Sequence, residues 1–183
     1  MAQRLAKAKE LYKQAGYSKD KPLTVTLKYN TDVVHKKVST ALASMLTRAF
    51  ADQGLKVSMI NEEWKVFISS RHAGDYQLAR DGWQADYNDA SSFLNLLVSN
   101  NPQNNNKYNN PKYDALILQA AKTTDLKKRQ IIFQNAAKIG FEDYPVIAIY
   151  DWASTHLVKT YIGGYSGKNA LDHMYSKYYF ILE

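Results

Sequence analysis

Pro22-Leu-Thr-Val-Thr-Leu-Lys-Tyr29 alternates apolar and polar side chains behind a proline, the pattern of a half-buried strand. Thr31 or Asp32 then offers a side-chain cap. The apolar residues Val38, Leu42, Met45, Leu46, Ala49 and Phe50 follow at helical spacing, with Gly54 to close the helix. Leu55–Ile60 predicts a second strand, and residues 62–73 a second helix with Trp64, Phe67 and Ile68 on one face, ended by Gly74. Tyr76-Gln-Leu-Ala-Arg80 predicts a third strand. Strand–helix–strand–helix–strand implies right-handed crossovers and a largely parallel sheet, hence an α/β fold.

Upstream, residues 2–15 predict a helix with Leu5, Ala8, Leu11, Tyr12 and Ala15 on one side and Gly16 as its stop. Downstream, a turn-rich segment leads into a short helix over 91–98. Residues 100–110 hold seven Asn in eleven positions, bordered by Pro102 and Pro111, which predicts a solvated loop. Two helices follow, about 113–122 and 126–141. Val146–Tyr150 has the composition of a buried strand, Thr155–Lys159 is another strand candidate, and Gly163-Gly164 breaks the pattern. The tail Tyr175–Leu182 predicts an aromatic strand with no later partner.

The 183 residues carry +7 net charge and 14 Tyr. Much of the excess lies in the first helix region (Arg4, Lys7, Lys9, Lys13, Lys19, Lys21), best read as a solvated lysine face. No nucleic-acid signature accompanies it, so no nucleic-acid partner is expected. No stretch approaches the roughly 18 apolar residues of a membrane span. Cysteine is absent, which excludes disulfides, thiolate metal sites and a cysteine nucleophile without reporting the compartment. The opening Met-Ala-Gln-Arg lacks the order of a secretory signal.

Phosphate-cradling glycine loops, metal-ligand histidine spacings and a G-x-S-x-G elbow are all missing, so neither cofactor nor metal is expected. The acid pairs Asp81/Asp86 and Asp86/Asp89 lie in a turn and read as solvated or capping groups more readily than as a glycosidase pair. The chemistry concentrates in Arg71–Asn88. Arg71, Arg80, Trp83 and Asp86 fall around the carboxyl end of the third strand, where open parallel sheets bind ligands. Arginine forks suit a carboxylate and an aspartate suits an ammonium, so the set fits a zwitterion. The alternative is an internal Arg80–Asp86 ion pair with Trp83 in the core.

Gly82-Trp-Gln-Ala-Asp-Tyr-Asn-Asp-Ala-Ser-Ser-Phe-Leu-Asn95 resembles the signature segment of the periplasmic oligopeptide-binding proteins of ABC importers, solute-binding protein family 5. Tyr29-Asn-Thr with His35-Lys-Lys, Glu63-Trp-Lys with Arg71-His, Asn109-Pro-Lys-Tyr-Asp114, and Leu157-Val-Lys with Gly163-Gly-Tyr-Ser-Gly-Lys168 match in the same order. The resemblance implies one lobe of a type II periplasmic-binding-protein-like fold, with a mixed, mostly parallel sheet flanked by helices. It also implies a fragment of a protein about three times as long, whose two lobes close over an extended peptide. On that basis residues 1–20 form an N-terminal helix, 21–160 the peptide-binding lobe, and 161–183 a tail returning toward the first lobe. The missing signal would then lie upstream, and the parent would be a periplasmic binding protein, not an enzyme, serving ABC permease subunits.

The same resemblance implies a role for each site residue. Asp86 would hold the peptide's ammonium, and the Gly82–Ala85 backbone (Gly82, Trp83, Gln84, Ala85) would pair with the peptide main chain. Arg80, Arg71 and His35 would engage ligand carboxylates for peptides of different length. Trp83 would wall a side-chain pocket, and Trp152 would supply a cleft aromatic. Dipeptide, murein-peptide and haem binders of the same family remain alternatives, as does, from the residues alone, a small hydrolase using Asp86 with His35 or His72. The unpartnered C-terminal strand is expected to favour self-association.

Overall fold

The computed structural model describes residues 2–167 and 171–183, so Met1 and the Lys168 end of the last matched segment lie outside the described residues. Its elements are α1 (Ala2–Gln14), β1 (Thr24–Asn30), α2 (Val33–Ala49), β2 (Lys56–Glu62), α3 (Trp64–Ala73), β3 (Leu78–Ala79), α4 (Ser91–Leu94), α5 (Pro111–Lys122), α6 (Leu126–Asp143), β4 (Ile162–Gly163) and β5 (Phe180–Ile181). The chain divides into two compact units, one ending at Gly82 and the other beginning at Trp83.

The first unit is the expected α/β arrangement. Its sheet runs β2-β1-β3, all parallel, in a register from Thr24↔Lys56 to Asn30↔Glu62 and from Leu27↔Leu78 to Lys28↔Ala79. As the central strand, β1 is buried along its carboxyl half, Leu27 to Asn30. That burial corrects the simple alternation. Lys28, a polar position by pattern, is buried and is held by Glu62 at 3.0 Å and Asp75 at 3.1 Å. Burial alone would pull its pKa down, but the bonds to the two carboxylates outweigh that and raise it.

The small residues Ser39 and Ala43 are buried on α2, and Phe67 is fully buried on α3. Asp32, not Thr31, caps α2, accepting from His35 N at 2.9 Å. The helix ends at Phe50, and a 3₁₀ turn (Ala51–Gln53) separates it from Gly54, whose φ of 76° supplies the left-handed turn. α1 is anchored through Tyr12, whose hydroxyl accepts from Leu23 N at 2.8 Å and whose ring lies 5.4 Å from Phe50.

In the second unit α5 and α6 pack around Tyr113, Ile117, Ala120, Phe133 and Ala136. Asn110 caps α5 with Pro111 at its first position, and Asp125 caps α6. The Asn-rich loop is less solvated than expected, since Asn104 and Asn105 are buried. The Asn104 amide donates to the carbonyls of Val98 (3.2 Å) and Tyr108 (2.8 Å) and its oxygen accepts from Tyr108 N. The asparagines replace backbone ladders that an irregular segment cannot make.

Four expectations fail here. Val146–Tyr150 and Thr155–Lys159 form no strand, and Ile147, Ile149, Tyr150 and Leu157 are exposed. Their composition carries strand propensity, but no neighbouring backbone among the described residues provides a ladder. The tail contains a 3₁₀ turn (Ser176–Tyr178) and only the two-residue β5, which pairs antiparallel with the earlier β4. Gly163 sits in that pair instead of ending it. A Cβ at Gly163 would run into the Phe180 ring, and one at the neighbouring Gly164, whose φ is 80°, would run into the Tyr178 backbone carbonyl, so glycine is required at Gly164. No helix among the described residues is long and apolar enough to cross a membrane.

Candidate functional site

In the first unit, His35 and Arg80 sit just after β1 and β3, and Arg71 sits at the end of α3, before β3. His35 lies on the first turn of α2, with its side chain largely buried. Its Nδ1 is buried without a hydrogen bond and lies 3.7 Å from Asp32 Oδ1. Burial, then the positive charge of Arg80, pushes the imidazole pKa down, while Asp32 opposes them. His35 and Arg80 therefore share one electrostatic environment. Arg80 donates its backbone N–H to Lys28 O at 2.8 Å and folds its guanidinium against Gly82, where a Cβ would come within 3.0 Å of Nη2.

Arg71, on the last turn of α3, is buried. Its Nη2 donates to Asp81 Oδ2 at 2.9 Å, and its guanidinium lies 5.6 Å from the Phe67 ring centre. The other Asp81 oxygen accepts from Gly82 N at 2.7 Å. Sequence reasoning missed this partner. Asp81 stands ten residues from Arg71, outside any periodic pattern, and its only local signal is the turn dipeptide Asp-Gly.

In the second unit, Trp83 and Asp86 line one hollow of about 270 Å³ with Tyr87, Ser91, Ser92 and Asn95. Asp86 N donates to the buried hydroxyl of Ser92 at 2.8 Å, which fixes the backbone. The Asp86 carboxylate is exposed and engages no hydrogen bond or ion pair among the described residues. Trp83 is 41% exposed, which removes the option that it is core. The Gln84 side chain is committed to the carbonyl of Leu171 at 2.8 Å. Ala85 is half-buried, and Trp152 is 67% exposed beside Tyr150.

Asp89 differs sharply from Asp86. Arg129 grips both of its oxygens, Nη1 to Oδ2 and Nη2 to Oδ1, and Ser91 donates its N–H and hydroxyl. Arg129 first, then Ser91, outweighs burial and holds this carboxyl well below the usual carboxylate range. Asp81 and Asp89 are thus each paired with an arginine, so in neither Asp81/Asp86 nor Asp86/Asp89 are both carboxylates without an arginine partner among the described residues. The arrangement supplies, beside Trp83 in one unit, a carboxylate without a partner among the described residues, and in the other an arginine whose charge reaches the His35 imidazole.

Residues 2–105 match the family described as bacterial extracellular solute-binding proteins, family 5, middle part. The chain belongs to this family. It is 42% identical over its whole length to the periplasmic oligopeptide-binding protein OppA of Haemophilus influenzae, covering 34% of that protein. It is 41% identical, over 99% of the chain and 33% of the relative, to a probable deoxycholate-binding periplasmic protein of Escherichia coli. The crystal structure of Haemophilus influenzae OppA in complex with RPPGFSPFR aligns with a TM-score of 0.88 at 42% identity, covering 100% of this chain and 36% of that one. The family-5 chain therefore spans about a third of the length of the curated relatives it matches. Its parallel sheet flanked by helices is the fold expected for a lobe of such proteins.

Proposed function

We propose that the protein carrying this chain is a periplasmic binding protein, not an enzyme, that captures oligopeptides for ABC permease subunits. The observation that carries this reading is the end-to-end similarity to a relative solved with a bound peptide. Asp86 takes the ligand's ammonium, consistent with its unpartnered, exposed carboxylate. The Gly82–Ala85 backbone pairs with the peptide main chain, as in strand addition, and Trp83 walls a side-chain pocket. Arg80, Arg71 and His35 serve ligand carboxylates, and Trp152 supplies an aromatic surface. Backbone and termini are common to all peptides, so such a site tolerates varied side chains. Residues 1–20 are the entry helix of a lobe spanning 21–160, with 161–183 as a returning tail.

A second reading has a specific basis in the relative described as a probable deoxycholate-binding protein. A bile acid presents one carboxylate and no ammonium, so it would use the arginines and leave Asp86 idle. Calorimetric titration of the full-length protein with tri-, tetra- and pentaalanine and with deoxycholate separates the two. Micromolar or tighter peptide binding supports the first. Binding of deoxycholate alone overturns it.

A further inference from the structure

Arg71 cannot swing freely. Phe67 lies beneath its guanidinium one helical turn earlier, and its side chain is only 11% exposed. Asp81 is the more exposed half of the pair, with 52% of its side chain exposed and, among the described residues, a single hydrogen bond, from Gly82 N, besides the one from Arg71. Asp81 also directly precedes the segment Gly82–Ala85. A guanidinium fork offers a carboxylate a directional, charge-assisted contact. Here a carboxylate of the chain already occupies it.

The geometry points to Asp81 as a built-in competitor that sits on Arg71 in place of a ligand carboxylate and so determines which ligand carboxylates the protein accepts. The inference rests on the peptide-binding proposal above. A peptide whose C-terminus reaches Arg71 must displace Asp81 from it, leaving two carboxylates to share one cation. Peptides whose carboxylate falls at Arg80 or His35 do not contest Asp81; the carboxylate beside those two groups is Asp32, 3.7 Å from His35 Nδ1. Asp81 is thereby a specificity-determining residue that need not touch the ligand.

The test is calorimetry on the full-length protein with tri-, tetra- and pentaalanine, each as free acid and as C-terminal amide. The unsubstituted protein is compared with Asp81→Asn and Asp81→Ala. Asp81→Asn keeps an acceptor for Gly82 N and preserves the turn, and Asp81→Ala removes both interactions. Freeing Arg71 is expected to tighten binding of one free-acid length by about tenfold, the scale of a charged hydrogen bond, with its amide and the other lengths unchanged. An equal gain for acid and amide, a uniform gain across lengths, or no gain would overturn the role of Asp81 while leaving peptide binding intact. If the unsubstituted protein binds none of the peptides, the peptide proposal falls, and this inference with it.

Discussion

Asp86 and Asp89, three residues apart, show how environment divides one residue type into two roles. Asp89 is spent on structure, clamped by Arg129, which also lies over the Phe133 ring at 4.5 Å. Its folded-state pKa lies below the unfolded value near 3.9. The clamp therefore stabilises the fold above about pH 4, and that contribution is lost as pH falls through the folded-state value. Denaturant unfolding at pH 7 and pH 3 should show Asp89→Asn less stable than the parent at pH 7, with the gap narrowing at pH 3. An unchanged gap would mean that the ion pair contributes nothing beyond its neutral hydrogen bonds.

At the scale of elements, α5 and α6 are joined by Tyr113, which is fully buried. Its hydroxyl donates to Leu94 O at 2.6 Å and its ring meets Tyr108 edge-on at 5.6 Å. Burial raises its pKa, so the hydroxyl stays protonated as a donor. Tyr113→Phe should cost about 1–2 kcal/mol by orphaning the Leu94 carbonyl, and Tyr113→Ala about 3–5 kcal/mol by opening a cavity. Chemical denaturation reads both, and equal costs would contradict this division.

Elements with local signals were legible in the sequence. Helical spacing between Val38 and Phe50 and the strand composition of β1 and β2 depend only on neighbours in the chain. What was not legible depends on distant partners. Alternation assigned Lys28 a polar position but could not say that Glu62 and Asp75 would enclose it. Val146–Tyr150 has a strand's composition, but pairing needs a second backbone that composition does not encode. Among the site residues, the amino-acid types of Asp86, Arg80 and His35 suggested their chemistry, whereas the Arg71–Asp81 pairing arises only once α3 and the segment after β3 come together.

For the whole molecule, the outstanding property is apolar surface. Ile147, Trp152, Leu157 (99% exposed), Tyr178, Phe180 and Ile181 all face solvent in the described chain. Exposed apolar ribbons of this kind mark surfaces that are covered in a larger assembly or that associate. The 183-residue chain is therefore expected to self-associate through these residues, with light scattering giving a mass that rises with concentration. Ile147→Lys with Leu157→Lys should restore the monomer. A monomer at every concentration would contradict the expectation. Part of the +7 charge is the lysine concentration in and just after α1 (Lys7, Lys9, Lys13, Lys19 and Lys21).

The central claim is that Asp86 captures a peptide's amino terminus, and calorimetry with trialanine and N-acetyl-trialanine on the full-length protein tests it most directly. An uncompensated charge in a closed site costs about 2–5 kcal/mol. Acetylation of the ligand, or Asp86→Ala with the free amine, should therefore weaken binding at least about thirtyfold. Binding of the acetylated and free peptides with equal affinity, undiminished by Asp86→Ala, would contradict it.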